Sequence, residues 1–325
     1  MNQRPLDLVF EEIVPEVGPH LKVEELYMDN EPLTDVFLSE RGGLVCLRKS
    51  DKAGDLLYFD SVTSQPTVWV SDPELRFSKL CGFSGERVYA FTENKLLKLG
   101  PSRIEIMYSC SAPIQNPTLS PDGTRIAWVE GNRWRGRVLE TRNLDENRPI
   151  AVGTCHDAVW LGSGELLTFE IVGSDMSPEE TVFSLYADRG TPFEQVFSTR
   201  FGIIKMAGDP YGRNAVLEAA RQEDHRSGVW LMTFEGEPSV QPIVTASSLA
   251  SLALRDGWCF FGAAGPNVPP HELIVAGKGR SIRAQVDSPI ADFSVDSTLE
   301  WIVYRTFSRQ GSIRRVFIHD LVSRL

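Results

Sequence analysis

The sequence predicts an all-β fold, a closed seven-bladed β-propeller, from three observations. A tight-turn motif recurs, short runs of β-branched and aromatic residues lie between the turns, and no segment has the pattern of a long helix. A period of about forty residues with four short strands is typical of a propeller blade. Six or eight blades are the alternatives, because the fifth copy of the turn motif resembles the other copies least. The copies are anchored at Gly42, Gly85, Gly123, Gly164, Gly212, Gly257 and Ser297, at spacings of 43, 38, 41, 48, 45 and 40 residues.

The third repeat shows most clearly how a blade is built. Pro121-Asp122-Gly123 predicts a type I turn followed by a glycine in the left-handed region. This turn joins the inner strand, strand a, which includes Thr118 and Leu119, to strand b at residues 126–129. Strands c and d are predicted at residues 136–141 and 149–152. In the first repeat, runs rich in β-branched and aromatic residues place the four strands at 36–38, 44–47, 56–59 and 67–70.

One segment has the features of a helix start. Ser177-Pro178-Glu179-Glu180 combines a capping serine, a proline at the first helical position and a glutamate at the third. Residues 182–186 then alternate as a strand does, so we expect one helical turn at most.

The two ends of the chain are expected to complete one blade together. The last repeat offers three strands, near residues 290–293, 299–304 and 315–319, and then the sequence stops. Residues 6–11 form a spare strand ahead of the first repeat. Pairing this strand with the one near Val316 would close the ring and leave the array without an open edge. We therefore expect residues 1–325 to form a single propeller domain.

Composition limits the classes of protein to be considered. The chain has 42% hydrophobic residues, no apolar run near the about eighteen residues of a membrane span, and no apolar signal segment near its start. The five cysteines lack metal-site spacing and predict buried free thiols in a cytoplasmic protein. A net charge of −11 argues against nucleic acid as a partner. It suits a basic protein partner, although solubility alone explains such a charge.

The segment 116–128, Asn-Pro-Thr-Leu-Ser-Pro-Asp-Gly-Thr-Arg-Ile-Ala-Trp, resembles the repeat of TolB/tricorn-type propellers. It is also similar to the repeat in the N-terminal propeller of prolyl oligopeptidase-family (S9) peptidases. The close resemblance covers this one repeat, and the other six match in outline. It implies a propeller but no peptidase activity, because the chain has no G-x-S-x-G nucleophile motif and no segment left for a hydrolase domain. TolB is periplasmic, and that role is not carried over.

Other catalytic motifs are absent from the sequence. There is no HExxH, P-loop, EF-hand or GxGxxG pattern, and none of the five histidines has a partner at metal-ligand spacing. Gly277-Lys278-Gly279-Arg280-Ser281 resembles a phosphate loop but lies between two strand-like runs, which favours a hairpin turn. We therefore expect neither a metal nor a cofactor.

Propeller geometry still indicates where a site would lie. The residues that begin the inner strands surround the channel on one face, whereas the Asp-Gly turns lie on the other. Such a polar mouth could bind a ligand or perform acid–base chemistry, or it could simply contact water in a wide channel. The candidate catalytic residues are His156, Asp157 and Asp35, and the candidate ligand-binding residues on this level are Gln115, Asn116, Arg76, Lys205 and Asp292.

The b–c loops on this face supply the remaining candidates. Arg133, Trp134 and Arg135 cluster in the third repeat, and Trp and Arg are enriched at binding hot spots. Alternatively, the loop arginines only balance the acidic segment 175–180. Three further b–c loops on this face offer candidate contacts for a ligand, at residues 221–226, 265–271 and 305–310.

Two functions from different classes follow. The first is a non-enzymatic binding module that engages a protein or peptide over the channel face. The second is a cofactor-independent enzyme, a lyase, cyclase or hydrolase, that uses His156 and a nearby carboxylate at the channel mouth. A closed pocket in which these groups converge would favour the enzyme, and a flat, open loop face would favour the binding module.

Overall fold

Seven small sheets, antiparallel except for one added parallel strand, form a ring in which each inner strand contacts the inner strands of the two neighbouring sheets. This confirms the seven-bladed propeller. The computed structural model describes residues 8, 13–131, 135–142, 147–150, 154–172, 180–186, 192–220, 227–246, 249–263, 271–306 and 310–325.

The first four blades each contain four strands, in the order a to d from the channel outward. Blade 1 contains β3 (Leu33–Leu38), β4 (Leu44–Lys49), β5 (Gly54–Phe59) and β6 (Thr67–Asp72), and a 3₁₀ helix (Pro73–Phe77) follows it. Blade 2 contains β7 (Lys79–Ser84), β8 (Arg87–Phe91), β9 (Lys95–Gly100) and β10 (Arg103–Ser109). Blade 3 contains β11 (Ile114–Leu119), β12 (Arg125–Glu130), β13 (Arg135–Glu140) and β14 (Asn147–Pro149). Blade 4 contains β15 (Asp157–Trp160), β16 (Leu166–Val172), β17 (Glu180–Tyr186) and β18 (Pro192–Thr199).

The last three blades include two strands from the N-terminal part of the chain. Blade 5 contains β19 (Gly202–Gly208), β20 (Asn214–Ala220), β21 (Ser227–Thr233) and β22 (Ser239–Ala246). Blade 6 contains β23 (Leu249–Arg255), β24 (Trp258–Ala263), β25 (Glu272–Gly277), β26 (Arg280–Gln285) and β1 (Glu16–His20). Blade 7 contains β27 (Ile290–Val295), β28 (Trp301–Thr306), β29 (Gly311–Phe317) and β2 (Val23–Asp29), and a short helix, α1 (His319–Arg324), ends the chain.

The turn of the third repeat has the predicted geometry and also joins two blades. Gly123 has a φ of +69° and donates its N–H to the carbonyl of Ser120, 2.8 Å away. Asp122 accepts from the hydroxyl of Ser120 and from the N–H of Thr124. Arg125 then places its guanidinium 4.6 Å from the centre of the Trp160 ring in blade 4. The motif therefore shapes the hairpin and binds its blade to the next.

The ring closes through the N-terminal part of the chain, but the predicted segment was wrong. β2, not residues 6–11, pairs antiparallel with β29, and β28 occupies the other edge of β29. The carboxylate of Glu24 lies 2.6 Å from Arg315, and that of Glu25 lies 3.5 Å from Arg314. These cross-strand ion pairs distinguish β2 from the apolar segment that precedes it.

Ahead of β2, the described residues of the chain contact blades 4, 5 and 6. Leu8 is buried in the apolar layer between blades 4 and 5. Ile13 lines a small apolar cavity between blades 5 and 6. β1 then adds a parallel fifth strand to blade 6. This segment therefore covers the edges of blades that are distant in sequence.

An apolar layer fills the space between each pair of neighbouring blades. Trp128 and Trp230 are the largest of the fully buried side chains.

All five cysteines are free thiols, and all but Cys110 are buried, as predicted. Residues 177–179 of the expected helical turn lie outside the described residues, while the strand predicted after them is β17. No helix in the described ranges is long and apolar enough to cross a membrane.

Candidate functional site

The inner strands are distorted at one shared level near the channel mouth. Their pairing with strand b shifts register in the described blades except blade 4. At this level Asp35 and Asn116 have left-handed φ angles of +55° and +47°. Asp and Asn tolerate this conformation better than other non-glycine residues do. We call this end of the channel the loop face and the end with the a–b turns the turn face.

Three predicted site residues line one cavity on the loop face. Asn116, Asp157 and Lys205 surround a space of about 520 Å³ that opens to solvent, and Ser251 from blade 6 completes its polar lining. Apolar side chains such as Ile204 form the rest of the wall. The inner strands of four successive blades thus build a pocket with a mixed polar and apolar lining.

Asp157 is the most perturbed carboxylate of this cavity. Burial raises its pKa to about 6, while hydrogen bonds from the Ala158 N–H and the Asn116 side chain partly oppose this rise. The Ala158 N–H lies 2.8 Å from Oδ1. Both groups are neutral donors, so neither compensates the charge of the ionised carboxylate. Asp157 can therefore exchange a proton near neutral pH or accept a positively charged group.

Two pairs of residues with opposite charges flank blade 6 at the same register. In blade 5, Lys205 on strand a lies opposite Glu218 on strand b. In blade 7, Asp292 on strand a lies opposite Arg305 on strand b, and its Oδ2 accepts from Nε and Nη2 of Arg305 at 2.9 and 2.7 Å. Burial raises the pKa of Glu218, and the charge of Lys205 opposes this rise. The ion pair in blade 7 therefore compensates the charge of Asp292.

Asp35 occupies the corresponding level of blade 1. Burial raises its pKa, the Leu80 N–H lowers it from 3.1 Å away, and the nearby charge of Asp292 raises it further. Lys49 contributes a compensating charge, and burial lowers the pKa of this lysine. Blades 7 and 1 therefore form a charged wall with both signs, beside the cavity that contains Asp157.

The other predicted residues that the structure describes lie outside the cavity lining. His156 donates its backbone N–H to Phe169 and stacks its ring on the Phe169 ring, with centroids 6.0 Å apart. The side chain of Gln115 covers Gly131. Arg76 lies on the 3₁₀ helix and donates to the Asp51 carbonyl, 2.6 Å away. Arg135 is exposed at the start of β13, and residues 133 and 134 lie outside the described residues.

Three residues at this level, Cys81, Lys49 and Glu218, were not predicted from the sequence, and Arg305 was predicted only as part of the loop at residues 305–310. Cys81, rather than Arg76, falls in the distorted part of the inner strand of blade 2. Lys49, Glu218 and Arg305 lie at the ends of strand b, next to charged partners on strand a. Charge complementarity between successive strands could have identified the last two, since Lys205–Glu218 and Asp292–Arg305 are separated by the same interval of thirteen residues.

Within the described ranges, no three His, Cys, Asp or Glu side chains come together as metal ligands would.

Comparison with known proteins identifies the fold. No protein-family model matches the chain, and no curated protein matches its sequence. An oligogalacturonate lyase in complex with manganese is similar in structure, with a TM-score of 0.70 and 11% identity over 98% of this chain and 99% of that one. The propeller domain of the Trilobed protease from Pyrococcus furiosus gives a TM-score of 0.62 and 12% identity, covering 87% of this chain and 94% of that domain.

A WD40 domain is also among the similar structures. The C-terminal WD40 domain of Sif2 gives a TM-score of 0.54 at 9% identity, covering 93% of this chain and 99% of that domain. At such low identity these similarities show the propeller fold alone. They confirm propeller repeats, and they include both an enzyme and a WD40 domain.

Proposed function

We propose that the chain is a binding module whose protein or peptide partner lies over the loop face and inserts a positively charged side chain into the cavity beside Asp157. One observation carries this proposal. Asp157 is a partly exposed carboxylate in an open cavity, desolvation raises its pKa, and the two groups that stabilise its charge are neutral. A lysine or arginine of a partner would supply the missing charge.

The physical chemistry favours such a ligand. A buried carboxylate without a cation is costly, and a charge-assisted hydrogen bond is about twice as strong as a neutral one. Lys205 lines the same cavity, but it lies opposite Glu218 in the strand pairing, and its charge already interacts with that carboxylate and lowers its pKa. The net charge of −11 would also attract a basic partner over longer distances.

The TolB/tricorn-type resemblance of residues 116–128 is part of this proposal. It supports a propeller that acts through the faces of its channel rather than through a hydrolase domain of its own. The Arg133–Trp134–Arg135 cluster would add contacts around the cavity. We further propose that the protein acts in the cytoplasm, where its five free thiols would stay reduced.

Selection from a phage-displayed library of random peptides tests this function. The wild-type protein is the bait, and binding of the enriched synthetic peptides is then measured by calorimetry. We expect enriched peptides to contain Lys or Arg, and Asp157→Asn to weaken their binding by about tenfold or more, since a hydrogen bond between charged groups contributes about 1.5–3 kcal/mol.

The matched control is Glu86→Gln, which neutralises an exposed carboxylate on the turn face. Its affinity for the peptides should stay within about twofold of wild type, as expected for a charge outside the binding site. The proposal fails if Asp157→Asn binds the selected peptides as tightly as wild type, or if no peptide is enriched.

Acid–base catalysis is the second candidate, and the pKa of Asp157, about 6, favours it. The most direct probe is oligogalacturonate, because a lyase for that substrate is similar in structure over 98% of this chain. β-Elimination would transfer the proton on the carbon next to the carboxylate to the base and form a C=C bond that absorbs ultraviolet light, while the C–O bond breaks and the leaving oxygen takes a proton from water and departs as a hydroxyl of the released sugar. An absorbance increase with wild type but not with Asp157→Asn would support this candidate, and none with either protein would contradict it for this substrate.

A further inference from the structure

The channel has a second mouth on the turn face. A cavity of about 550 Å³ opens there, lined by residues of six blades. Thr118 lines both this cavity and the one that contains Asp157, so both cavities border the inner strand of blade 3. The inner strands can therefore be reached from either end of the channel unless one mouth is closed.

A contact between three blades crosses the turn-face mouth. The phenol hydroxyl of Tyr211, on the a–b turn of blade 5, donates to Oε1 of Glu40 on the a–b turn of blade 1, 3.5 Å away. Arg255, at the end of β23, donates to the same phenol oxygen and lies 4.7 Å from the centre of the tyrosine ring. All three residues line the turn-face cavity. Blades 5 and 1 are not neighbours, so the contact spans blades 6 and 7.

Both ends of this contact are held in place by the fold. The carboxylate of Asp209 accepts backbone N–H groups from Tyr211, Asp256 and Gly257 at 3.0, 3.0 and 2.9 Å, which joins the turns of blades 5 and 6. Arg255 also donates to the carbonyl of Val295 in blade 7, 3.3 Å away. The Tyr211 side chain itself is 47% exposed. Its backbone is therefore fixed, and Arg255 and Glu40 hold its exposed ring at the mouth.

We propose that Glu40, Tyr211 and Arg255 form a latch that closes the turn-face mouth, so that ligands reach the channel from the loop face. Breaking the Tyr211–Glu40 contact opens the second mouth. One long hydrogen bond between solvent-exposed groups joins blade 5 to blade 1, so the latch opens without disrupting the apolar layers between blades. This inference goes beyond the proposed function and does not depend on the identity of its ligand.

Cys81 provides a direct readout of the latch. It lines the turn-face cavity and is 8% exposed, whereas Cys46 and Cys259 are each 1% exposed. Burial raises the pKa of the Cys81 thiol, so labelling at alkaline pH is slow enough to be followed. The experiment uses fluorescein maleimide on the full chain carrying Cys110→Ser, because Cys110 is the most accessible thiol. Mass spectrometry then measures the labelling rate of each cysteine.

We expect Tyr211→Ala and Glu40→Ala each to increase the labelling rate of Cys81 by about fivefold or more and to leave Cys46 and Cys259 unlabelled. Phe77→Ala removes an aromatic ring that is 75% exposed and lies outside the channel, and it should leave the Cys81 rate unchanged. Unchanged Cys81 labelling in Tyr211→Ala would overturn the proposal. If that variant labels Cys46 as fast as Cys81 because it unfolds, Glu40→Ala decides, and an unchanged Cys81 rate there overturns the latch.

Discussion

Replacing Asp157 by asparagine should stabilise the protein at neutral pH while weakening its binding. Asparagine has almost the same shape, and its side-chain oxygen can still accept from the Ala158 N–H. The substitution removes the ionisable group but keeps most of the packing. It therefore isolates the cost of holding a buried charge at this position.

The magnitude follows from the pKa. Burial raises the pKa of Asp157 to about 6, compared with about 3.9 in the unfolded chain. Each unit of pKa difference between the folded and unfolded states corresponds to about 1.36 kcal/mol, so the ionised carboxylate destabilises the folded state by at most about 3 kcal/mol. The folded protein binds the Asp157 proton more tightly than the unfolded chain does, so the stability that protonated Asp157 contributes is fully present below about pH 4. It is lost as the pH rises through about 6.

Urea unfolding at a series of pH values between 4.5 and 7.5 measures this effect, as the difference in unfolding free energy between Asp157→Asn and wild type. Contributions from the other titrating carboxylates, including Asp35 and Glu218, largely cancel in this difference. We expect the variant to gain about 1–3 kcal/mol relative to wild type between the lowest and the highest pH. Glu86→Gln, at an exposed carboxylate, should show no such gain. A difference that stays flat across the series would refute the argument that burial perturbs Asp157.

The remaining predictions concern closure, packing and the loop face. Deleting residues 1–21 removes β1 but keeps β2 and should leave a folded protein, whereas deleting residues 1–30 exposes the edge of β29 and should cause aggregation. Light scattering and thermal melts distinguish the two deletion variants. Equal behaviour of the two would contradict closure of the ring by β2. Gly208→Ala places a Cβ 2.0 Å from the Trp160 carbonyl oxygen and should lower Tm by about 5 °C or more, while Gly100→Ala meets nothing within 4 Å and should change it little. An unchanged melt of Gly208→Ala would show that the blades are not packed this tightly. Trp134→Ala should cost about 2 kcal/mol of partner affinity and leave the melt unchanged; a large loss of stability would assign this side chain to the core.

The propeller could be predicted because its determinants are local. Pro121-Asp122-Gly123 specifies its turn within a few residues, and similar turns recur at the blade period. The closing strand could not be found in this way, because the alternation of Leu6, Leu8 and Phe10 looks as strand-like as β2 does. What selects β2 is the pairing of Glu24 and Glu25 with arginines about 290 residues away, which only the folded ring brings together.

Residues of the candidate site could be predicted from the sequence where their distance from the a–b turn alone places them at the start of an inner strand. Asn116 and Asp157 follow from counting back from the turn, and Asp35 from the same count in blade 1. His156 did not join the cavity, because its ring packs on Phe169. The latch on the turn face has no sequence signal, since Glu40, Tyr211 and Arg255 come from three blades and meet only across the channel.

Photo-cross-linking tests most directly whether the loop face binds the ligand. A peptide selected by the protein is synthesised with a benzophenone side chain and irradiated in the complex, and the cross-linked residues are mapped by mass spectrometry. We expect cross-links to the loop-face ends of the inner strands, at residues 116–118, 157–159 and 204–206. Cross-links confined to the turn face, at residues 120–124 and 210–212, would contradict it.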